Sequence, residues 1–408
     1  MELAVPKPDH VANNLVYDFD YRFDPEFTRD PFARASQIIK EAPPVFWTPR
    51  NGGHWMITSF DAVSRAARDP ESFSSVLVPP ERLAHLPADM PTPMTAIPAN
   101  VDPPLHGLYR APINPSFSVG TMSGLKSQIR HLAADLIERV RPAGQCELLG
   151  DITEPLSVQM FLKLYGLPLE RQEEYRTVVK QVTRAGVHDV ATILAGAKLL
   201  VETYSDTLIE RRDHPRDDII SAMWKLEIDG KPITLELMQS FSLALFLAGL
   251  DTVMNAMAHG TRHLALHPEL QELLRADPKR IPQVAEELLR LYAFALPVRT
   301  VARDLEFERA TMKKGEIVHF FLPGANRDPA HFEAPDTFSL ERRPTSHLAF
   351  GAGPHRCLGM HLARVELHVY YEELLSRLPT IRLDPDRPPV YHGGIVVGPD
   401  NLHLLWGA

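Results

Sequence analysis

Cysteine is scarce: Cys146 and Cys357 are the only two in 408 residues, which excludes a disulfide framework and leaves each thiol to be judged singly. Positive charge is not in excess either. Against 43 Lys and Arg stand 52 Asp and Glu, and a net charge of −9 provides no basic footprint for nucleic acid or an anionic membrane. Long hydrophobic runs are absent. The longest, Phe241 to Leu250, is ended by Asp251 and is about half the roughly twenty residues that a bilayer span requires. Met1 to Pro6 has neither a basic n-region nor an apolar h-region, so no signal peptide is expected. Repeats at solenoid spacings are missing, and the 37 prolines are dispersed rather than gathered in a linker. These absences predict a soluble cytoplasmic protein with no membrane anchor and no nucleic-acid partner.

What is present predicts a packed globular protein, with 44% hydrophobic and 23% charged residues. Asn51-Gly52-Gly53 reads as a turn before a strand at His54–Thr58. Pro79 to Pro104 is proline-rich and aperiodic, the kind of segment that covers a site. Helical periodicity then dominates, over Ile129–Val140, Gln172–Thr183, Ala191–Arg212 and Glu236–Leu266. Short strands at Glu316–Phe321, Gly394–Val397 and Leu402–Trp406 alternate with a further helix beginning near Leu358. The expected fold class is mainly α with small β-sheets (α+β), in one domain.

Phe350-Gly351-Ala352-Gly353-Pro354-His355-Arg356-Cys357-Leu358-Gly359 carries the most chemical information. Three glycines in nine residues remove side chains where something flat and large could approach the backbone. Leu358, Leu362, Val365 and Val369 follow at helical spacing, so Cys357 is expected at a helix N-terminus, where unpaired N–H groups and the dipole favour a thiolate. Two plainer readings compete: a buried inert cysteine beside a glycine turn, and a zinc site with His355 and His361, which lacks the usual paired-knuckle spacing.

The same string closely resembles the haem-binding loop of the cytochrome P450 family, Phe-x-x-Gly-x-x-x-Cys-x-Gly, with every fixed position filled. The resemblance covers essentially the whole chain, and the nearest branch is similar to the bacterial camphor hydroxylase and its terpenoid-oxidising relatives. It implies a single-domain P450 fold over residues 1–408, a triangular helical prism with haem b between a long central helix and the cysteine-loop helix. By resemblance Cys357 is the axial ligand of the haem iron, with Ala248, Phe350, Gly351, Leu358 and Gly359 against the cofactor. A thiolate ligand favours O–O cleavage.

In the apolar run, Ala248-Gly249-Leu250-Asp251-Thr252 sets an acid beside an alcohol, costly in an apolar helix unless paired. Glycine there weakens the helix by about 1 kcal/mol relative to alanine. A threonine at 252 can turn its hydroxyl back to the carbonyl of Ala248. A glycine kink with a helix-terminal Asp is the plainer reading. The family motif Ala-Gly-x-Asp/Glu-Thr implies instead that Thr252 orients dioxygen and a water while Asp251 relays protons, with Arg176 and Arg184 restraining the acid. The resemblance also implies propionate contacts from His106, Arg110, Arg299 and His355, with Pro297 where the branch can hold an acid. Glu287 and Arg290, three apart beside the apolar stripe Val284, Leu288 and Leu291, read as a buried pair needing a third partner; the family supplies Arg342, and all three are structural.

Lining up Ile97-Pro98 with the camphor branch puts Met94 where its members hold a tyrosine, and adds Ala96, Ala244, Leu247, Ala295, Ile395 and Val396 as pocket positions. Methionine offers only a weak acceptor, so weak camphor binding and a preference for bulkier terpenoids or norisoprenoids such as ionones are expected. The implied activity is a haem-thiolate monooxygenase working as a monomer on an apolar substrate with O2. Its electrons would come from a [2Fe–2S] ferredoxin reduced by an NADH-dependent flavoprotein. The alternatives are a peroxide-driven haem-thiolate enzyme, which would not need the Asp251–Thr252 relay, and a non-catalytic haem- or zinc-binding sensor.

Overall fold

At Asn51-Gly52-Gly53 the backbone takes left-handed φ values of 52°, 81° and 80°, which glycine and, less freely, asparagine tolerate. A side chain at position 53 would also drive into the Trp47 ring. The turn folds Val45–Thr48 back on His54–Ile57 with Trp47 opposite Trp55. In the computed structural model, which describes residues 4–77, 95–184 and 190–407, with side chains except over 180–193, this hairpin is one edge of a five-stranded sheet. Ile317–Phe320 lies parallel to His54–Ile57, and Val298–Val301 and Phe73–Ser74 follow in antiparallel pairing. The pairing sets Arg299 opposite Val318, with its guanidinium over the Phe320 ring at 5.3 Å.

Helices pack beside this sheet around two large apolar clusters. One joins Lys126–Val140, Ile281–Leu291, Met360–Arg377 and the distal half of the central helix; the other surrounds its proximal half. That central element is expected as one helix, Glu236–Leu266. Instead it is two, Leu235–Gly249 and Thr252–Leu266, interrupted at Leu250-Asp251. By composition the span Leu235–Leu266 is apolar enough to cross a membrane, but more than half of the window that meets that test is buried inside the protein, and its packing in the two apolar clusters accounts for its apolarity. Its break has a local cause. The Thr252 hydroxyl donates to the Ala248 carbonyl at 2.8 Å, competing for a helical acceptor. Gly249 is required by packing, since a Cβ there would lie 2.7 Å from the Phe161 ring.

Two further expected elements differ. Gly394–Val397 forms no strand; only an isolated bridge between Val396 and Ala295 occurs there, between the short strands Tyr391–His392 and Gly398–Pro399. The helix expected near Leu358 begins at Met360, so Cys357 lies two residues ahead of the cap Gly359. Cys146 sits buried in the strand Gln145–Glu147 beside His403–Leu405. Burial, helped by Asp151 and Glu147, pushes its thiol up to about 12, so it stays protonated and unreactive.

The structure places Glu287, Arg290 and Arg342 together in the interior. Arg290 grips Glu287 with two bonds, Nε to Oε2 at 2.9 Å and Nη2 to Oε1 at 2.8 Å, and Arg342 Nε adds a third to Oε1 at 2.8 Å. Remaining donors of Arg290 reach the carbonyls of Asn326 and Pro335, both at 2.8 Å, so the buried charges are fully engaged. Glu287→Gln would leave two buried guanidinium groups without an anion. Loss of about 3–5 kcal/mol is expected, read as a lower denaturant midpoint, and an unchanged midpoint would refute the structural role.

Candidate active site

The cysteine loop closes on itself through Cys357 N–H to the Phe350 carbonyl at 2.9 Å, with Gly351 N–H to Leu348 O at 2.8 Å. Gly351 and Gly353 carry φ values of 70° and 69°. The glycines differ in purpose. At 353 a Cβ would collide with the backbone of Ala67, so that residue is small because the loop leans on the helix Phe60–Ala66. At 351 and 359 a Cβ would meet nothing within 4 Å, so those two leave the space beside Cys357 clear. Arg364, one residue sequence reading passed over, lies over the Phe350 ring at 4.7 Å and bonds Glu286 at 2.6 and 2.8 Å. Burial pushes the Glu286 carboxyl up, but bonds from Arg364 and His347 outweigh it and hold it at about 2. The signal was available: Arg364 follows Cys357 by seven residues, in the helix that opens at Met360.

Cys357 retains accessible surface, yet protein surrounds it closely. Burial is the largest influence on the thiol and raises its pKa; the Gly359 N–H and the charges of Arg110, Arg364 and Arg356 work against it. A helix N-terminus alone therefore does not make this cysteine a thiolate, because the loop holds it ahead of the first turn. His355 and His361 do not join it in a metal site: among the described residues no group of three or more His, Cys, Asp or Glu is arranged to hold a metal ion.

Beside the loop, four nitrogen-bearing side chains from three segments converge. His106 and Arg110 come from the helix Leu105–Ile113, Arg299 from the sheet and His355 from the loop. The rings of His106 and His355 lie 4.2 Å apart. Arg110 spans to the loop through Nη2 to Arg356 O at 2.8 Å. Burial pulls His355 down to about 3, with Arg299, His106 and Arg110 pushing the same way, and pulls Arg299 down to about 10 against the opposing charge of Asp102. His106 is lowered too, first by burial and then by Arg110. Nε2 of both histidines is buried without a hydrogen-bond partner among the described residues. Asp102 is turned to the Ser75 N–H at 2.8 Å and the Ser74 hydroxyl. Cations and donors gathered in this way, short of acceptors, suit carboxylates from outside the chain.

On the central helix, Thr252 faces Ala248 as described, and Asn255 Nδ2 donates to the Asp251 carbonyl at 2.9 Å. Asp251 lines a cavity of about 120 Å³ with Glu154, Asn255, His392, Val396 and Asp400, roomy enough for several waters. Arg176 does not restrain this acid. Its Nε reaches Glu154 at 2.7 Å and its Nη1 reaches Glu173 at 2.5 Å; Glu154 is itself buried at 7% exposure, and a buried carboxylate holds the nearest cation. The side chain of Arg184 lies outside the described ones.

The pocket positions fall in two groups. Ala96 and Ala244 pack in one apolar cluster, with Leu247 and Leu358 against it, and Ile97 N–H bonds Ser240 O of the central helix at 3.2 Å. Ala295 and Val396 pair across the isolated bridge, and Leu296 N–H bonds Ile395 O at 2.8 Å. Met94 and most of the proline-rich segment lie outside the described residues.

Residues 183–406 match the family model for cytochrome P450. A protein of Sinorhizobium fredii (strain NBRC 101917 / NGR234) named probable cytochrome P450 127A1 is 33% identical over 98% of this chain and 97% of its own. Among solved structures, CYP101J2 superposes with a TM-score of 0.87 at 31% identity, over 99% of this chain and 100% of its own. CYP101C1 gives 0.88 at 30% identity with the same coverage.

Proposed function

The chain belongs to the cytochrome P450 family, and on that premise we propose that Cys357 is the axial thiolate of its haem, that Asp251 and Thr252 handle protons beside it, and that the substrate is a bulky apolar terpenoid or norisoprenoid. As a family member it is a bacterial monooxygenase that binds haem b and needs O2 and electrons from a redox partner.

One observation carries the site assignment. His106, Arg110, Arg299 and His355 converge from three segments, the histidines with orphaned buried nitrogens, next to a cysteine loop whose Gly351 and Gly359 leave space open. Two carboxylates on a flat cofactor answer both features, so the residues fit haem. When bound, haem supplies the reductive activation of dioxygen. Cys357 would ligate it, and Arg110, Arg364 and Arg356, which already oppose the thiol's raised pKa, would favour the thiolate. His106, Arg110, Arg299 and His355 would hold the propionates, and Ala248, Phe350, Leu358 and Gly359 would pack against the cofactor. The Thr252 hydroxyl, anchored on Ala248 O, would present its oxygen to a water. Asp251, at the helix interruption and on a cavity large enough for water, exchanges protons with that solvent.

The enzyme's electrons come from a redox partner. A [2Fe–2S] ferredoxin, itself reduced by an NADH-dependent flavoprotein, suits the likeness to the camphor branch. Arg356 and Arg110, at the mouth of the cysteine loop, would attract an acidic one despite the overall charge of −9.

Substrate orientation rests on Ala96, Ala244, Leu247, Ala295, Ile395, Val396 and Met94, none of them a strong hydrogen-bond donor. A ketone held by no hydroxyl loses about 0.5–1.5 kcal/mol, roughly twofold to tenfold in affinity. Spin-state titration of the haem protein with camphor and with β-ionone tests the substrate class. The ionone is expected to give the fuller shift at the lower concentration; a complete camphor shift at lower concentration would sink it.

A further inference from the structure

Two turns beyond Thr252, the central helix carries a histidine that the proton chemistry does not use. His259 is 1% exposed and is boxed by Phe32, Phe294 and Tyr391 at ring distances of 4.9, 5.7 and 6.0 Å. Its Nε2 lies 3.1 Å from the carbonyl of Val397. A carbonyl only accepts, so the ring is the Nε2–H tautomer; Nδ1, buried without a hydrogen-bond partner among the described residues, needs no proton. Burial, the leading cause, pulls its pKa down to about 3 against the opposing bond to Val397, so the ring stays neutral across the working range of pH.

Val397 follows directly on Ile395 and Val396. One turn earlier on the helix, Asn255 lies so close to Gly398 that no Cβ would fit between them. On its other side the segment is tied by Val397 N–H to Phe294 O at 2.9 Å and by Leu296 N–H to Ile395 O at 2.8 Å. The segment forms no strand of its own over these residues, so these ties, rather than a continuous ladder, set its position.

We propose that His259 is a positioning residue for substrate specificity, fixing the wall formed by Ile395 and Val396 to the same helix that carries Asp251 and Thr252. The inference rests on the reading of Ile395 and Val396 as substrate wall. Without the Nε2–H donor the Val397 carbonyl is left unpaired in a buried site, and the wall loses its tie to the helix. A looser wall weakens binding, because more freedom must be given up when a ligand is held against it.

The probe is 4-phenylimidazole, whose nitrogen binds haem while its phenyl ring reads the wall; bare imidazole reads haem access alone. Both are titrated optically into haem-replete parent, His259→Phe, His259→Gln and Val396→Ala proteins. His259→Phe keeps the ring volume and is expected to bind 4-phenylimidazole about threefold to tenfold more weakly, with imidazole unchanged. His259→Gln, which retains an N–H donor, should recover most of the affinity. If Val396→Ala alters 4-phenylimidazole binding while His259→Phe matches the parent, the positioning role is wrong and the wall reading stands. If neither variant differs from the parent, the wall reading fails and takes the inference with it. Equal weakening of both probes by His259→Phe would also overturn it, as a general loss of haem access. Should His259→Phe fail to hold haem, Gly398→Ala, which forces the wall off Asn255, is expected to give the same probe-selective weakening; no such weakening there would refute the proposal.

Discussion

Replacing Cys357 by histidine is expected to abolish monooxygenation while leaving a protein that takes up haem. His106, Arg110 and Arg299 come from segments that the substitution does not touch, so the proposed anchoring of the propionates would largely survive. What changes is the ligand atom. A thiolate pushes electron density onto the iron and favours O–O cleavage, whereas a neutral imidazole does not. In this loop Gly359 N–H, Arg110, Arg364 and Arg356 act on the sulfur in favour of negative charge, against the larger penalty of burial. The ferrous–CO spectrum should move from a thiolate-type band to one of a histidine-ligated haem, with product formation at background. A variant that turns over like the parent would remove Cys357 from the iron.

The second large effect separates Thr252 from Asp251. Thr252→Ala deletes the hydroxyl that donates to Ala248 O at 2.8 Å and leaves the carboxylate in place. Substrate binding and NADH oxidation are expected to persist, with electrons diverted to hydrogen peroxide and coupling to product reduced by about tenfold or more. Asp251→Asn retains size and polarity but cannot exchange a proton with water in the cavity beside it, which has room for several molecules. The whole cycle is then expected to slow by about a hundredfold, within the range for lost general acid–base assistance, with coupling little changed. The two rates and the peroxide yield distinguish the roles. Parental coupling and parental rate in both variants would show that the relay lies elsewhere.

Some of this was decided by the sequence alone, because it depends on residues close together in the chain. The Cys357 loop, the Ala248–Thr252 motif and the Asn51-Gly52-Gly53 turn are local: spacing and backbone permissiveness specify them, and even the Thr252 hydroxyl bond follows from a four-residue helical step. The Glu287–Arg290 pair follows from the same periodicity. Tertiary structure decided what depends on distant neighbours. Gly353 is glycine because Ala67 presses on it, and Gly249 because Phe161 does; neither neighbour is local. Arg176 goes to Glu154 rather than Asp251 because a carboxylate buried 22 residues upstream requires it. Cys357 stands ahead of its helix rather than at its first turn, and burial by the packed chain outweighs the charges of Arg110, Arg364 and Arg356 on its thiol. The role of His259 depends on a carbonyl 138 residues away. Helical spacing can place a histidine on a buried face, but only the packed chain determines which acceptor it meets, because a hydrogen bond is selected by distances of a few tenths of an ångström.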